Sequence, residues 1–238
     1  MNDWERVLLL TLLGPVLWLQ GRHVRRVTPR LPEPPGERAG ATGRGPPLRL
    51  LIAGDSAAAG VGAASQHEAL CGQLVGQLSP HFTLHWQLLA ANGLDSPGLL
   101  RWLAQTPEQA FDVVVLSVGV NDVTGLCPPR RWLQWQDSLA QLVQGRFAPR
   151  LLLHNAVPPM HGFNALPQPL RWFLGRWARE MNARLALRLQ GASGRALLAP
   201  PVGNPADAMA SDGFHPSAGG YAIWAQALGE SILARLRD

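Results

Sequence analysis

The sequence contains no lysine, because each of its 21 basic residues is an arginine. Schiff-base and pyridoxal enzymes act through a lysine amine, and P-loop NTPases and protein kinases hold phosphate groups with one. The absence of lysine therefore excludes these enzyme classes. At 238 residues the chain is long enough for one well-buried domain with an appendage.

Cysteine is almost as scarce, with Cys71 and Cys127 as the two in the chain. Two thiols cannot form a disulfide framework or a four-cysteine zinc site. The zinc-binding pattern HExxH does not occur either. We therefore expect two free thiols and no metal site.

Basic charge is not concentrated where a nucleic acid could use it. The formal net charge is +5, but residues 1–47 hold 7 arginines against 4 acidic residues, and residues 48–238 hold 14 against 12. The longer segment has no run of basic residues that could neutralise successive phosphates. The sequence therefore predicts a protein that does not bind nucleic acid.

Residues 7–19 form an uncharged apolar run, which as a helix would be about 20 Å long, against about 30 Å for the hydrocarbon core of a membrane. Arginines cluster directly after this run, at Arg22, Arg25, Arg26 and Arg30. We predict that residues 1–28 attach the protein to a membrane, with the basic flank holding the following domain on the cytoplasmic side. The alternatives are a periplasmic or secreted protein, and a helix packed on the domain itself.

Residues 29–47 are rich in proline and glycine, which predicts a semi-extended linker, and the folded domain then covers residues 48–238. In this domain, short apolar runs alternate with segments of helical periodicity. The apolar runs predict five strands, near residues 48–53, 82–88, 113–117, 151–153 and 196–198. Because strands alternate with helices, we predict an α/β fold with a parallel sheet covered on both faces.

Polar motifs follow three of the predicted strands. Gly54-Asp55-Ser56 comes after the first strand, Gly-Val-Asn-Asp at residues 119–122 after the third, and Ser-Asp-Gly-Phe-His-Pro at residues 211–216 after the fifth. The carboxyl ends of parallel strands meet at one edge of a sheet. Each motif alone fits an ordinary turn. Their order and placement predict that they form one site.

A serine hydroxyl becomes nucleophilic when a base accepts its proton, and His215 is the candidate base for Ser56. Asp212 would orient the imidazole and stabilise its charged form. Attack on an ester carbonyl creates an oxyanion, which needs donors that are fixed in advance. The candidate donors are the backbone N–H groups of Ser56 and Gly93 and the carboxamide of Asn121.

Together these motifs resemble those of the SGNH, or GDSL-type, hydrolase superfamily. Its four signature residues fall on Ser56, Gly93, Asn121 and His215, with Asp212 completing a triad. The residue after the serine is alanine, where the name-giving motif has leucine. The resemblance implies a flavodoxin-like three-layer α/β/α sandwich and a serine esterase that needs neither metal nor cofactor. Bacterial thioesterase and lysophospholipase-type esterases are the most similar members.

The loop after the fourth predicted strand carries Met160, Phe163 and Leu166, three candidates for the wall of an acyl pocket. With the apolar N-terminal run, they favour a lipid-derived ester, a lysophospholipid or a thioester as substrate. A carbohydrate O-acetyl esterase would present the same catalytic residues and stays open as an alternative.

Two other classes of function compete with an esterase. Residues 60–65 (Gly-Val-Gly-Ala-Ala-Ser) resemble a dinucleotide-binding loop. However, serine replaces the third glycine, and no carboxylate for a ribose follows the second predicted strand. The second competitor is a non-catalytic binding module built on an esterase fold.

Overall fold

The computed structural model describes residues 3–199 and 208–237. Its centre is a six-stranded sheet, made of β1 (Ala39–Gly43), β2 (Pro47–Gly54), β3 (Thr83–Ala90), β4 (Val113–Ser117), β5 (Leu151–Asn155) and β6 (Arg195–Leu198). The strands lie in the order β1-β3-β2-β4-β5-β6. Neighbouring strands are parallel except for the pair β1 and β3.

The five parallel strands confirm the predicted fold class. If these five strands, β2 to β6, are numbered 1 to 5 along the chain, their order across the sheet is 2-1-3-4-5. This is the strand order of flavodoxin-like folds. The chain moves from β2 outward to β3 and then crosses back past β2 to β4. Ligands of such folds bind in the crevice at the carboxyl ends of the strands where this reversal occurs.

Helices of the described residues pack on both sides of the sheet. They are α1 (Asp3–Val27), α2 (Ser56–Ala59), α3 (Leu70–Leu78), α4 (Ser96–Gln105), α5 (Val120–Thr124), α6 (Pro129–Phe147), α7 (Leu170–Leu189) and α8 (Ala218–Arg237). Helices α3 and α8 cover one face, and α4, α6 and α7 cover the other. This arrangement is the expected three-layer α/β/α sandwich.

The central strand β4 shows why the parallel strands are apolar throughout rather than alternating. Val113 and Val115 pack in the core under α3 and α8, whereas Val114 and Leu116 pack under α4 and α6. All five residues of β4 are buried. A strand covered on both faces has no side open to water, so both of its faces must be apolar.

Part of the predicted linker belongs to the sheet. Strand β1 pairs antiparallel with β3 at the edge, so the sheet is mixed rather than purely parallel. All five residues of β1, with the sequence Ala-Gly-Ala-Thr-Gly, are exposed. Because none of them is large and apolar, no hydrophobic alternation marks this strand in the sequence.

Helix α1 packs on the domain and is most deeply buried in its second half. Leu17 and Val24 are buried in the apolar cluster around α7. The Gln20 carboxamide donates to the Gln168 carbonyl at 2.6 Å and accepts from the Leu170 backbone N–H at 3.0 Å. These two hydrogen bonds fix α1 against the start of α7.

The prediction of a membrane anchor in residues 1–28 is wrong. Among the residues that the structure describes, no helix is both long enough and apolar enough to cross a membrane. The apolar run at residues 7–19 is short, and the same helix continues through Arg22, Arg25 and Arg26. The prediction that the domain lies on the cytoplasmic side of a membrane depended on that anchor and therefore loses its basis.

A substitution at Gly54, the last residue of β2, measures how tightly β2 and β4 are packed next to Ser56. A Cβ at this position would collide with the Ser117 carbonyl oxygen, which accepts the Asp55 N–H at 2.9 Å. We expect Gly54→Ala to lower the free energy of unfolding by about 3 kcal/mol or more in urea denaturation.

Gly76 provides the matched control. It lies inside α3, and a Cβ there would have no atom within 4 Å. Gly76→Ala should therefore raise the free energy of unfolding by about 0.5–1 kcal/mol, because alanine restricts the unfolded chain and favours the helix. Similar effects of the two substitutions would contradict the close packing at Gly54.

Candidate active site

The candidate site lies where β2 and β4 end. Ser56 is the first residue of α2, directly after β2. Asp212 and His215 lie in the loop that precedes α8. The fold brings the serine and the histidine together, although 159 positions separate them in the sequence.

Ser56, His215 and Asp212 form a continuous chain of hydrogen bonds. The Nε2 atom of His215 is 2.9 Å from Ser56 Oγ, and its Nδ1 atom is 2.6 Å from Asp212 Oδ2. An ionised carboxylate can only accept, so Nδ1 carries the hydrogen and Nε2 is left as the acceptor for the serine hydroxyl. This is the tautomer that a general base requires.

Asp212 is held as an anion by its own loop. Its Oδ1 atom accepts the backbone N–H groups of Phe214, at 2.9 Å, and His215, at 3.0 Å. Burial works against the charge, but the hydrogen bonds from the His215 side chain and from these two N–H groups outweigh it and lower the pKa of Asp212. Asp212 can therefore stabilise a positively charged His215.

The neighbour of the serine, Asp55, fixes the start of α2. Its side chain caps the helix by accepting the Ala57 N–H at 3.1 Å. Burial raises the pKa of Asp55 to about 7, although this hydrogen bond and the nearby His215 lower it. Asp55 therefore positions the Ser56 backbone from within a buried, poorly solvated environment.

The glycine-rich segment after α2 supports the histidine loop. Gly62 has a φ of +104°, and a Cβ there would collide with the Pro216 carbonyl oxygen and lie 3.3 Å from the Cβ of His215. One residue earlier, the Val61 carbonyl accepts the Tyr221 hydroxyl at 2.7 Å. The glycines that resemble a dinucleotide loop thus allow close packing against His215.

The two other candidate oxyanion donors lie on neighbouring loops. Asn121, in α5, donates from Nδ2 to the Leu94 carbonyl at 2.8 Å, which ties it to the loop at residues 91–95. Gly93 in that loop is exposed and has a φ of +81°. Neither Gly93 nor Asn121 lines the cavity that opens beside Ser56.

Asp122 joins the same two loops from the buried side. Its carboxylate accepts the Ser96 backbone N–H at 3.1 Å and the Ser96 hydroxyl at 2.8 Å. That hydroxyl also accepts Gln136 Nε2 at 3.1 Å, and Gln136 Oε1 is 3.3 Å from Nδ1 of the buried His154. Burial raises the pKa of Asp122 to about 6, with the Ser96 hydrogen bonds lowering it.

A third tether on this loop comes from the segment predicted to be a linker. Glu33 accepts the Asn92 backbone N–H at 2.6 Å and the Arg38 guanidinium at 2.8 Å. Arg38 also donates to the Ala90 carbonyl. The proline-rich composition around Glu33 gives no sequence signal for this contact. Asp122 belongs to the Gly-Val-Asn-Asp motif at residues 119–122, so the sequence marks it as a candidate site residue. Its partner Ser96 belongs to no motif, and the sequence does not predict the contact between them.

A cavity of about 340 Å³ opens beside Ser56 and His215. This volume is in the usual range for small-molecule sites. Its walls are mainly apolar and include Val118, Val157, Phe163, Phe214, Ile223 and Trp224. The cavity therefore suits an apolar group attached to the carbon that Ser56 would attack.

The predicted acyl-pocket residues divide between the cavity and the core. Phe163 lines the cavity and packs edge-on against Phe214, with ring centroids 5.0 Å apart. Met160 and Leu166 are buried instead in the apolar cluster around α7. The loop turns at a 3₁₀ helix, Met160–Gly162, so the three side chains do not share a face.

The structure gives no arrangement suited to a metal among its described residues, where no three His, Cys, Asp or Glu side chains cluster. Cys71 and Cys127 are both free. Burial raises the pKa of Cys71 to about 12 and that of Cys127 to about 11. Both are therefore thiols at neutral pH and poor nucleophiles.

Residues 52–223 match the model of the GDSL-like lipase/acylhydrolase family. No curated protein matches the sequence. Among solved structures, the lipase Lip_vut3 from a goat rumen metagenome is similar over 77% of this chain and 97% of its own, with 16% identity and a TM-score of 0.61. TesA is similar over the same shares, with 22% identity and a TM-score of 0.61.

Axe2, an acetylxylan esterase from Geobacillus stearothermophilus, is similar over 79% of this chain and 95% of its own. Its identity is 20% and its TM-score 0.55. At these identities the three likenesses show a shared fold.

The raised pKa of Asp122 predicts how stability depends on pH. The unfolded chain loses this proton near pH 3.8 and the folded protein near pH 6. Between these values the folded state binds more protons, so the contribution of Asp122 to stability falls as the pH rises, by up to about 3 kcal/mol. Asp122→Asn removes this contribution.

We therefore expect the difference in free energy of unfolding, Asp122→Asn minus wild type, to shift in favour of the variant between pH 4 and pH 7. Urea midpoints measured across this range, with constant m-values, check the prediction. A difference that does not change with pH would show that Asp122 is not the buried, proton-binding group described above.

Proposed function

This chain belongs to the GDSL-like lipase/acylhydrolase family of ester-hydrolysing enzymes, and we propose that it is a serine acyl hydrolase with Ser56 as nucleophile. The resemblance of its motifs to SGNH hydrolases is thereby confirmed. The observation that carries the proposed mechanism is the position of His215, 2.9 Å from Ser56 Oγ and 2.6 Å from Asp212.

In the proposed first step, Ser56 Oγ attacks the carbonyl carbon of the ester while His215 Nε2 accepts the hydroxyl proton. The imidazole becomes positively charged, and the adjacent Asp212 stabilises it. His215 then gives the proton to the leaving alcohol or thiol, and the acyl group stays on Ser56. In the second step His215 accepts a proton from water as the water attacks the acyl-enzyme, and it then gives this proton to Ser56 Oγ as the acid is released.

The oxyanion of each step needs hydrogen-bond donors. We assign this role to the backbone N–H groups of Ser56 and Gly93 and to the carboxamide of Asn121. The Leu94 carbonyl takes one N–H of the Asn121 amide, and this fixes the direction of the second. The tethers from Glu33 and Asp122 then hold the Gly93 loop in place.

The cavity favours an acyl group longer than acetyl. Its apolar walls and volume of about 340 Å³ would leave an acetyl group with much of the space unfilled. Burying each further methylene contributes about 0.8 kcal/mol. The proposed substrates are therefore lipid-derived esters, lysophospholipids or thioesters. The alternative is a carbohydrate O-acetyl ester, and the experiment must distinguish it from these longer acyl substrates.

A fluorophosphonate probe and a series of p-nitrophenyl esters test the proposal. We expect the probe to label Ser56 in the wild type and not in Ser56→Ala, and the substitution to lower kcat by at least about a thousandfold. Ser138→Ala, on α6, should behave as the wild type. Activity should rise from acetate toward medium or long acyl chains.

Two outcomes would contradict the proposal in different ways. Failure of the probe to label folded wild-type protein would favour a non-catalytic binding module. Labelling with a strict preference for acetate would keep the serine hydrolase and replace the lipid-type substrate with an O-acetyl ester.

Glu33 gives a separate prediction for the oxyanion loop. Glu33→Gln removes a charge-assisted acceptor from either Asn92 or Arg38, which loosens the backbone beside Gly93. Because an oxyanion donor acts in the transition state, kcat should fall about three- to tenfold with little change in KM. Glu37→Gln, at an exposed position in the same segment, is the control. Equal kinetics for both variants would contradict the role of Glu33.

A further inference from the structure

Tyr221, the single tyrosine of the chain, lies in the first turn of α8 and is fully buried. Its hydroxyl donates to the Val61 carbonyl at 2.7 Å, and Val61 is fully buried as well. Val61 follows α2, which begins at Ser56, whereas α8 follows the loop that carries His215. One side-chain hydrogen bond therefore joins the segment of the proposed nucleophile to the segment of the proposed base.

On the serine side, this bond reaches Ser56 through a single turn of backbone. The Val61 N–H donates to the Ser56 carbonyl at 3.0 Å, and within the same turn the Gly60 N–H donates to the Ala57 carbonyl at 3.3 Å. Val61 thus bonds to the serine residue through its N–H and to α8 through its carbonyl. A displacement of the Tyr221 hydroxyl would therefore be passed on to the backbone of Ser56.

On the histidine side, the loop and the first turn of α8 are bonded into one unit. The Ala210 N–H donates to the His215 carbonyl at 2.8 Å, and the Ser217 N–H donates to the Ala208 carbonyl at 2.9 Å. The Tyr221 N–H donates in turn to the Ser217 carbonyl, also at 2.9 Å. The position of the Tyr221 side chain is therefore fixed relative to His215.

The direct hydrogen bond between Ser56 and His215 cannot hold the two segments together through the whole reaction. In the free enzyme Ser56 Oγ donates its hydrogen to His215 Nε2. In the proposed acyl-enzyme this oxygen carries the acyl group and has no hydrogen. Once the leaving group has taken its proton, Nε2 has none either, so both atoms can only accept. The direct bond is therefore absent at the stage at which His215 must activate water.

We propose that Tyr221 is a positioning residue for the second step of the reaction. Its hydrogen bond to Val61 keeps the imidazole of His215 next to the acyl-enzyme while the direct bond between the two segments is absent. This inference rests on the proposed function and adds a residue to its mechanism.

Two observations suit Tyr221 to this role. Neither Tyr221 nor Val61 lines the cavity, so their hydrogen bond is not displaced when a substrate binds there. Burial raises the pKa of Tyr221 well above its usual value, and the nearby carboxylates of Asp55 and Asp212 raise it further. The hydroxyl therefore keeps its hydrogen and remains a donor to the Val61 carbonyl.

The test is Tyr221→Phe, which removes the hydroxyl and keeps the buried ring. With p-nitrophenyl octanoate, kcat/KM reports acylation, and kcat reports deacylation because the activated leaving group makes acylation fast. We expect kcat to fall about tenfold and kcat/KM by no more than about threefold, since the direct bond still joins the segments during acylation. KM should therefore fall as well. The decay of acyl-Ser56, followed by rapid-quench mass spectrometry, measures deacylation directly and should slow by the same factor as kcat.

Thr106→Val provides the matched control. It removes a buried hydroxyl that donates to the Trp102 carbonyl at 3.1 Å, at the end of α4, and should leave both constants at their wild-type values. A purely structural effect of Tyr221→Phe would reduce the number of folded molecules. It would then lower kcat and kcat/KM by the same factor and leave KM unchanged.

Three outcomes would overturn the inference: an equal loss of kcat and kcat/KM, an unchanged rate of deacylation, or a Tyr221→Phe protein that the fluorophosphonate does not label. The proposed function would stand in each case, provided that the wild type hydrolyses the octanoate ester and is labelled at Ser56. If the wild type is neither labelled nor active, the proposed function and this inference both fail.

Discussion

The hydrogen bond between His215 Nε2 and Ser56 Oγ, 2.9 Å long, is the interaction on which the rest of the site depends. Proton transfer needs this distance, and Ser56 begins α2 whereas His215 lies in the loop before α8, so each residue must be fixed independently. Asp55 fixes the serine by capping α2. Asp212 fixes the histidine through its ring and its backbone N–H, and Gly62 allows the loop of His215 to pack closely against the end of α2. The parallel sheet brings the two segments together, because each follows a strand whose carboxyl end lies at the same edge of the sheet.

Three buried carboxylates, Asp55, Asp122 and Asp212, fix the segments of the candidate site, and their surroundings shift their pKa values in different directions. Asp212 accepts two backbone N–H groups and lies against His215, so its pKa is lowered and it stays ionised. Burial dominates at Asp55 and Asp122, whose pKa values rise to about 7 and about 6. An ionised Asp212 is the partner that a charged imidazole requires. The other two carboxylates hold backbone in place, a task that a partly protonated group can perform through its acceptor oxygens.

The sequence predicts the five parallel strands because their apolar runs are local signals, and it predicts the convergence of Ser56, Asp212 and His215 because parallel strands end at one edge. It does not predict β1, whose small exposed residues carry no pattern. The apolar run at residues 7–19 also misleads, because hydropathy does not say what an apolar surface packs against. Leu17 and Val24 face α7, and that contact follows from the tertiary fold. Similarly, the sequence predicts that Met160 and Leu166 line the acyl pocket, but the turn at Met160–Gly162 directs their side chains into the core.

The proline- and glycine-rich segment at residues 29–47, which shows no hydrophobic pattern, contacts the candidate site through Glu33. Gly93 is exposed at a φ of +81°, and a Cβ at that position would touch nothing within 4 Å, so no packing sets the direction of its N–H. That direction must come from the bonds on either side of it. Glu33 holds Asn92, and Leu94 and Ser96 are held by Asn121 and Asp122. A glycine that can adopt many conformations is thus restricted to one by three tethering residues from two separate parts of the chain. One of these tethers comes from Glu33, so the residues that would support the proposed oxyanion donor extend beyond the domain boundary at residue 48 that composition indicates.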